Sequence, residues 1–238
     1  GDEIIDADIL GIKADRYTHG HRFHHPQPMY IAEPEAYLPL LETEGRVLAD
    51  FATRREAIRA QVLEQAKQLN GKAVIDDELL NEVTALVEWP VALSGRFDRA
   101  FLQVPAEALV SSMQDHQKYF PVEDENGKLL PFFIAIANLE SKDPQQILAG
   151  NERVIRPRLA DAAFFWNQDC KQTLEKHVDG LRSMVYQKKL GSLYDKQERV
   201  AGLAANIAVQ IGSDGSYAER AARLCKCDLL TSMVSEFP

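Results

Sequence analysis

Two β-forming runs, residues 118–122 and 129–137, flank Asp124-Glu125-Asn126-Gly127. Asn-Gly between such runs is the strongest short-range hairpin signal, because a tight reversal needs positive φ and these residues reach it at least cost. The chain is therefore committed to an antiparallel pair near its middle, and the neighbouring segments must be read around it. Residues 90–94 and 101–104 carry further strand patterns, while Pro105 opens a helix through Leu109, Val110 and Met113.

Upstream, residues 4–13 alternate loosely as a strand and give way to an irregular His- and Pro-containing stretch, 16–28; residues 33–45 carry a short helix. In residues 51–69 the apolar positions Ile58, Val62, Leu63, Ala66 and Leu69 recur at helical spacing, and Asn70-Gly71 supplies the stop. Residues 76–88 form a second amphipathic helix, with Asp76 and Asp77 at its start and Pro90 beyond its end. After about Pro144 the strand signals thin out. Helical patterns follow at 157–169, 171–177, 193–211 and 217–234, separated by Gly180, Gly191 and the 212–215 turn. With 238 residues and 45% apolar content, the chain can bury a substantial core. The predicted fold class is α+β, with a mixed α/β domain over 1–150 followed by an all-helical domain over 151–238.

The 27 basic and 36 acidic side chains give a net charge of -9, which argues against a general nucleic-acid coat protein. RNA stays open, since gripping a stem or loop needs only a local basic strip. Cys170, Cys225 and Cys227 contain no CxxC pair, so neither a disulfide framework nor a thiolate zinc site is indicated, and a reducing cytoplasm fits. No run approaches the roughly 18 apolar residues of a membrane span, and the start GDEIIDADIL lacks the regions of a signal peptide. A soluble, cytoplasmic protein is expected. The first residue is not methionine and the chain stops directly after a helical pattern, as a piece of something longer would.

Arg153, Arg156 and Arg158 fall within GNERVIRPRLADAAFF, residues 150–165, ahead of an apolar helix that Pro157 is placed to start. Two readings are open. Guanidinium forks beside a helix N-terminus suit phosphate, whereas Glu152 and Asp161 are spaced to neutralise two of the arginines locally. His19, His21, His24 and His25 lie within seven residues, and an H-x-H pair on a strand would point two imidazoles one way. Arg22 sets a cation among them, against a metal site, and Arg16, Arg22 and Phe23 make the segment an alternative RNA surface. His116 and Lys118 end a helix and enter the hairpin at a cleft edge; His116 has no identifiable nucleophile or orienting carboxylate and takes no catalytic role. Neither GxGxxG nor GxxxxGK[ST] occurs. Catalytic, cofactor and metal residues are therefore expected to be none.

The blocks GHRFHHP (20–26), LVEWPVALSGRFD (86–98), VPAEALVSSMQDHQKYFPV (104–122), GKLLPFFIAIAN (127–138), GNERVIRPRLADAAFF and KCDLLTSMVSEFP closely resemble, in order and spacing, the β-subunit of bacterial heterotetrameric glycyl-tRNA synthetase. The resemblance covers the whole chain and implies an internal fragment of a much longer subunit. It implies two α and two β chains, with an α-subunit that uses ATP and Mg to make glycyl-adenylate, while β contacts tRNA(Gly). It further implies that the first domain is similar to the editing-type domain of the phenylalanyl-tRNA synthetase β-subunit, and that the second is a partial HD-like domain. There the sequence departs from an active pattern, because Lys226-Cys227-Asp228 stands where the metal-binding His-Asp doublet belongs and Lys226 is not a ligand. The implied role is tRNA positioning and assembly, through Arg153, Arg156, Arg158, Arg22, His116 and Lys118, with no catalytic centre. The alternative is an HD-type phosphohydrolase or an aminoacyl-tRNA editing hydrolase.

Overall fold

The Asn126-Gly127 reversal forms as the sequence predicts. In the computed structural model, which describes residues 3–237, only Gly127 of the turn takes positive φ, at 77°. The Asp124 carboxylate closes the loop by accepting the N–H groups of Asn126 (2.8 Å) and Lys128 (3.0 Å). These bonds, Lys128 first, hold its carboxyl below the usual range.

The described residues divide between Arg158 and Leu159 into two units. The first starts with two small antiparallel pairs, β1 (Asp8–Ile9) with β2 (Ile12–Lys13) and β3 (Tyr17–His19) with β4 (Pro28–Tyr30), then α1 (Tyr37–Thr43). Next come α2 (Phe51–Gln68), β5 (Lys72–Ala73), α3 (Asp77–Leu86), β6 (Val91–Arg96), α4 (Ala106–Ser111), β7 (Phe120–Glu123), β8 (Leu129–Ala137) and the start of α5 (Pro144–Asp169), whose residues from Leu159 onward belong to the second unit. A four-stranded sheet runs β5-β7-β8-β6, antiparallel throughout. Helix α2 is capped by Asp50, which accepts from Thr53 N–H, and ends where Asn70 takes φ 54°. Asp76 caps α3 the same way. Both helices lay their apolar stripes on one sheet face, where Ile58, Val62, Leu80, Phe120, Val122 and Ile134 are fully buried.

The other face is set by Phe133, buried and stacked on Tyr119 at 4.6 Å. Gly95 pairs with Phe133 across β6 and β8, and a methyl group on Gly95 would overlap that ring. Directly after β8, Asn138 ties three segments together. Its side-chain oxygen accepts the N–H groups of Glu88 (2.7 Å) and Trp89 (3.0 Å), and its carbonyl accepts the His21 Nε2–H (2.6 Å).

Several predicted elements are corrected. Residues 101–104 are not a strand; Arg99–Gln103 is a 3-10 turn, because Asp98 accepts the Ala100 N–H and this local bond competes with a ladder. The helix assigned to 157–169 begins at Pro144, so Pro157 lies inside it. Ile155, Leu159 and Ala162 are buried along one stripe, and that burial outweighs the missing proline N–H. Residues 112–116 continue α4 as a π-helical turn.

The second unit is not all-helical. After 3-10 turns at Leu174–His177 and Asp179–Ser183 it carries an antiparallel pair, β9 (Val185–Gln187) with β10 (Gly191–Ser192), where Gly191 takes φ 90°. Helix α6 (Leu193–Gln210) follows through a Ser192/Asp195 capping box, and packs on α7 (Gly215–Leu224). The pattern read as one helix over 217–234 breaks into α7, a 3-10 turn at Cys227–Leu230 and α8 (Ser232–Glu236). Thr231 is extended and caps α8, and Asp169 accepts the N–H groups of Ser232 and Met233, so the chain restarts rather than continues.

Asn138→Ala leaves the exposed Glu88 amide and the part-buried Trp89 amide without their acceptor, a change expected to cost about 0.5–1.5 kcal/mol. Chemical denaturation that finds wild-type stability in this variant would show that the side-chain part of the tie is dispensable.

Candidate nucleic-acid interface

The three arginines of the corner lie on α5, all exposed, beside buried Ile155 and Leu159. Among the described residues no ion pair joins them to Glu152 or Asp161. Glu152 is used elsewhere, accepting the Arg96 backbone N–H at 3.0 Å. Local neutralisation, one of the two open readings, is thus absent from the geometry. So is the helix N-terminus invoked for the other, since α5 starts 13 residues before Pro157. At 3.6 residues per turn Arg153 and Arg156 share a side of the helix, while Arg158 sits about 200° round from Arg156.

Arg156 faces a cleft of about 640 Å³ with Arg96, Arg99, Phe101, Phe132 and Glu152 on its walls. Arg96 ends β6 directly opposite Phe132 of β8. Arg99 rides on the 3-10 turn that Asp98 caps. Sequence reading by segment missed Arg96 and Arg99, although RFDRAF, residues 96–101, interleaves two arginines with two rings and carried that signal. Its obstacle was the strand assigned to 101–104.

The histidines do not share a strand face, for β3 ends at exposed His19 and His21 is fully buried. The His21 Nδ1 accepts the N–H groups of Phe23 (3.3 Å) and His24 (3.4 Å), which leaves the proton on Nε2, aimed at the Asn138 carbonyl. Both nitrogens are thereby spent on backbone. His24 Nε2 accepts the Glu140 N–H at 3.0 Å. Burial, then the neighbouring His21, hold the His24 imidazole below the ordinary histidine range, against the pull of Glu140. Arg22 and Phe23 remain at the surface, the guanidinium 5.0 Å from the ring centre, whereas Arg16 donates to the carbonyls of Ile31 and Ala32.

His116 is exposed at the end of the π turn, and Lys118, at φ 59°, holds Glu82 with its ammonium at 2.8 Å. In the second unit Lys226 and Asp228 are exposed while Cys227 is buried, its thiol pushed up chiefly by burial. Among the described residues no three His, Cys, Asp or Glu side chains converge as a metal site, and no helix is long and apolar enough to cross a membrane.

Residues 1–238 match the family model described as "Glycyl-tRNA synthetase beta subunit", which sets the chain among the subunits of aminoacyl-tRNA synthetases. Over the full chain it is 56% identical to the glycine–tRNA ligase beta subunit of Hahella chejuensis, covering 34% of that protein. It is 57% identical to the beta subunits of Marinobacter nauticus and Pseudomonas fluorescens, covering 34% and 35% of them. The chain belongs to the glycyl-tRNA synthetase beta-subunit family, as the six sequence blocks imply. It spans about a third of the length of the curated relatives it matches.

His24 binds its proton less readily folded than unfolded, so its contribution to stability is complete above the unfolded value and is lost as pH falls through the folded one. Acidification below the ordinary histidine range should protonate Nε2 and release the Glu140 N–H. An imidazole titration midpoint at or above that of free histidine would contradict this, as would unchanged hydrogen exchange at Glu140.

Proposed function

We propose that this chain is the part of a glycine–tRNA ligase β subunit that positions tRNA(Gly) and supports assembly. In this reading an α-subunit, using ATP and Mg, makes the glycyl-adenylate in a cytoplasmic α2β2 enzyme. This chain supplies no catalytic centre and no cofactor site. The observation that carries the tRNA assignment is the exposure of Arg153, Arg156 and Arg158 without ion-pair partners among the described residues, in a family whose name specifies a tRNA synthetase. A guanidinium with no carboxylate to hold it is available to phosphate at little cost in broken pairs.

Arg22 adds a fourth exposed cation, this one beside an exposed ring, and His116 a further exposed polar group. Lys118 is the weakest member of the set, because phosphate must compete with Glu82 for its ammonium. The proposed domains are an editing-type α+β domain, residues 1–150, and a partial HD-like domain, residues 151–238. Family membership favours this reading over a free-standing phosphohydrolase or editing hydrolase.

tRNA(Gly) binding by the complete β subunit with its α partner, followed over a salt series, tests the reading. Each arginine on a phosphate should take about 0.9 from the salt slope when changed to alanine. Folded Arg153→Ala, Arg156→Ala and Arg158→Ala proteins with wild-type affinity and slope would make the corner structural.

A further inference from the structure

We infer that the cleft walled by Arg96, Arg99, Arg156, Phe101 and Phe132 holds an unpaired nucleotide of an RNA strand, stacked on a ring with its phosphate among the guanidiniums. This rests on the tRNA-binding reading and assigns a site within it.

Charge is the first ground. Three arginines against Asp98 and Glu152 leave the lining at 3 − 2 = +1, in a chain whose sum is -9. Both acids already serve backbone: Asp98 accepts the Ala100 N–H at 2.9 Å and Glu152 the Arg96 N–H at 3.0 Å. Among the described residues none of the three guanidiniums has an ion-pair partner, and all three residues are exposed. They come from a strand end, a capped turn and a helix, so their convergence does not depend on one flexible loop.

The rings are the second ground. Phe101 and Phe132 are half-buried in the cleft wall. Phe132 also packs against the sheet core, which fixes its orientation. Cross-strand pairing sets it beside Arg96, placing an aromatic surface next to a cation. A base in a duplex keeps its faces covered by its neighbours, so only a splayed-out base can stack on such rings. The cleft volume of about 640 Å³ falls in the range of small-ligand sites.

The test uses the complete β subunit with its α partner and three probes: a six-nucleotide single-stranded RNA, a blunt RNA duplex and adenosine monophosphate. Arg96→Gln, Phe101→Leu and Phe132→Leu are compared, each with a melting curve, so that a folding loss in Phe132→Leu is told from a binding loss by Phe101→Leu. Each ring variant should weaken the single strand by about tenfold, and Arg96→Gln should lower its salt slope by about 0.7, with duplex binding within about twofold of wild type. Equal losses for strand and duplex would reduce the cleft to a general phosphate patch. Displacement of the strand by the mononucleotide at equal affinity would make the ligand a free nucleotide. Either result overturns the inference, as does wild-type strand binding in all three variants while tRNA(Gly) still binds normally. If the wild-type protein binds neither tRNA(Gly) nor the strand, it is the positioning role itself that fails.

Discussion

Asn138 is the residue on which the geometry of the first unit turns. It stands where the longest strand stops, and it satisfies two amides at the corner between α3 and β6 and one imidazole from the His-rich segment. One side-chain oxygen has lone pairs enough for both adjacent amides, while the main-chain carbonyl stays free for the imidazole. The corner fixes where β6 begins, β6 fixes Arg96 opposite Phe132, and the candidate site inherits its spacing from that register. His21, one of the four clustered histidines, is thus a brace for the sheet end.

An acidic chain can present a basic cleft because so many carboxylates are committed to local tasks. Asp50, Asp76, Asp98 and Asp214 cap helices or turns, Asp124 closes the hairpin, and Asp195 completes a capping box. Asp77 is shared by Arg55 and Arg59. For Asp50, Asp124 and Asp195 the same backbone bonds are the largest cause of a lowered carboxyl pKa. A carboxylate bound to amide donors projects less field than a free one, so net charge says little about any single patch. What a polyanion meets is set by which guanidiniums remain uncommitted.

Elements carried by local chemistry were legible in the sequence. The hairpin, α2 and α3 are each fixed by a turn residue, a cap and a stripe, all within a few positions of one another. Family membership was legible because six ordered blocks constrain each other. The start of α5 was not, for Pro144 and Pro157 give the same first-turn signal and only the burial of Ile155, Leu159 and Ala162 decides between them. The strand expected at 101–104 failed because a single carboxylate, Asp98, captured the chain first. Arg96 and Phe132 are brought together by β6–β8 register, and Arg156 reaches them from α5; contacts between segments so far apart in the chain leave no local trace.

Gly95 and Phe133 are opposed in the ladder, with the ring occupying the volume that a side chain on the glycine would need. Neither position can drift by itself. A homologue with a larger residue at 95 is therefore expected to carry a smaller one at 133, which would make the two positions a coupled pair.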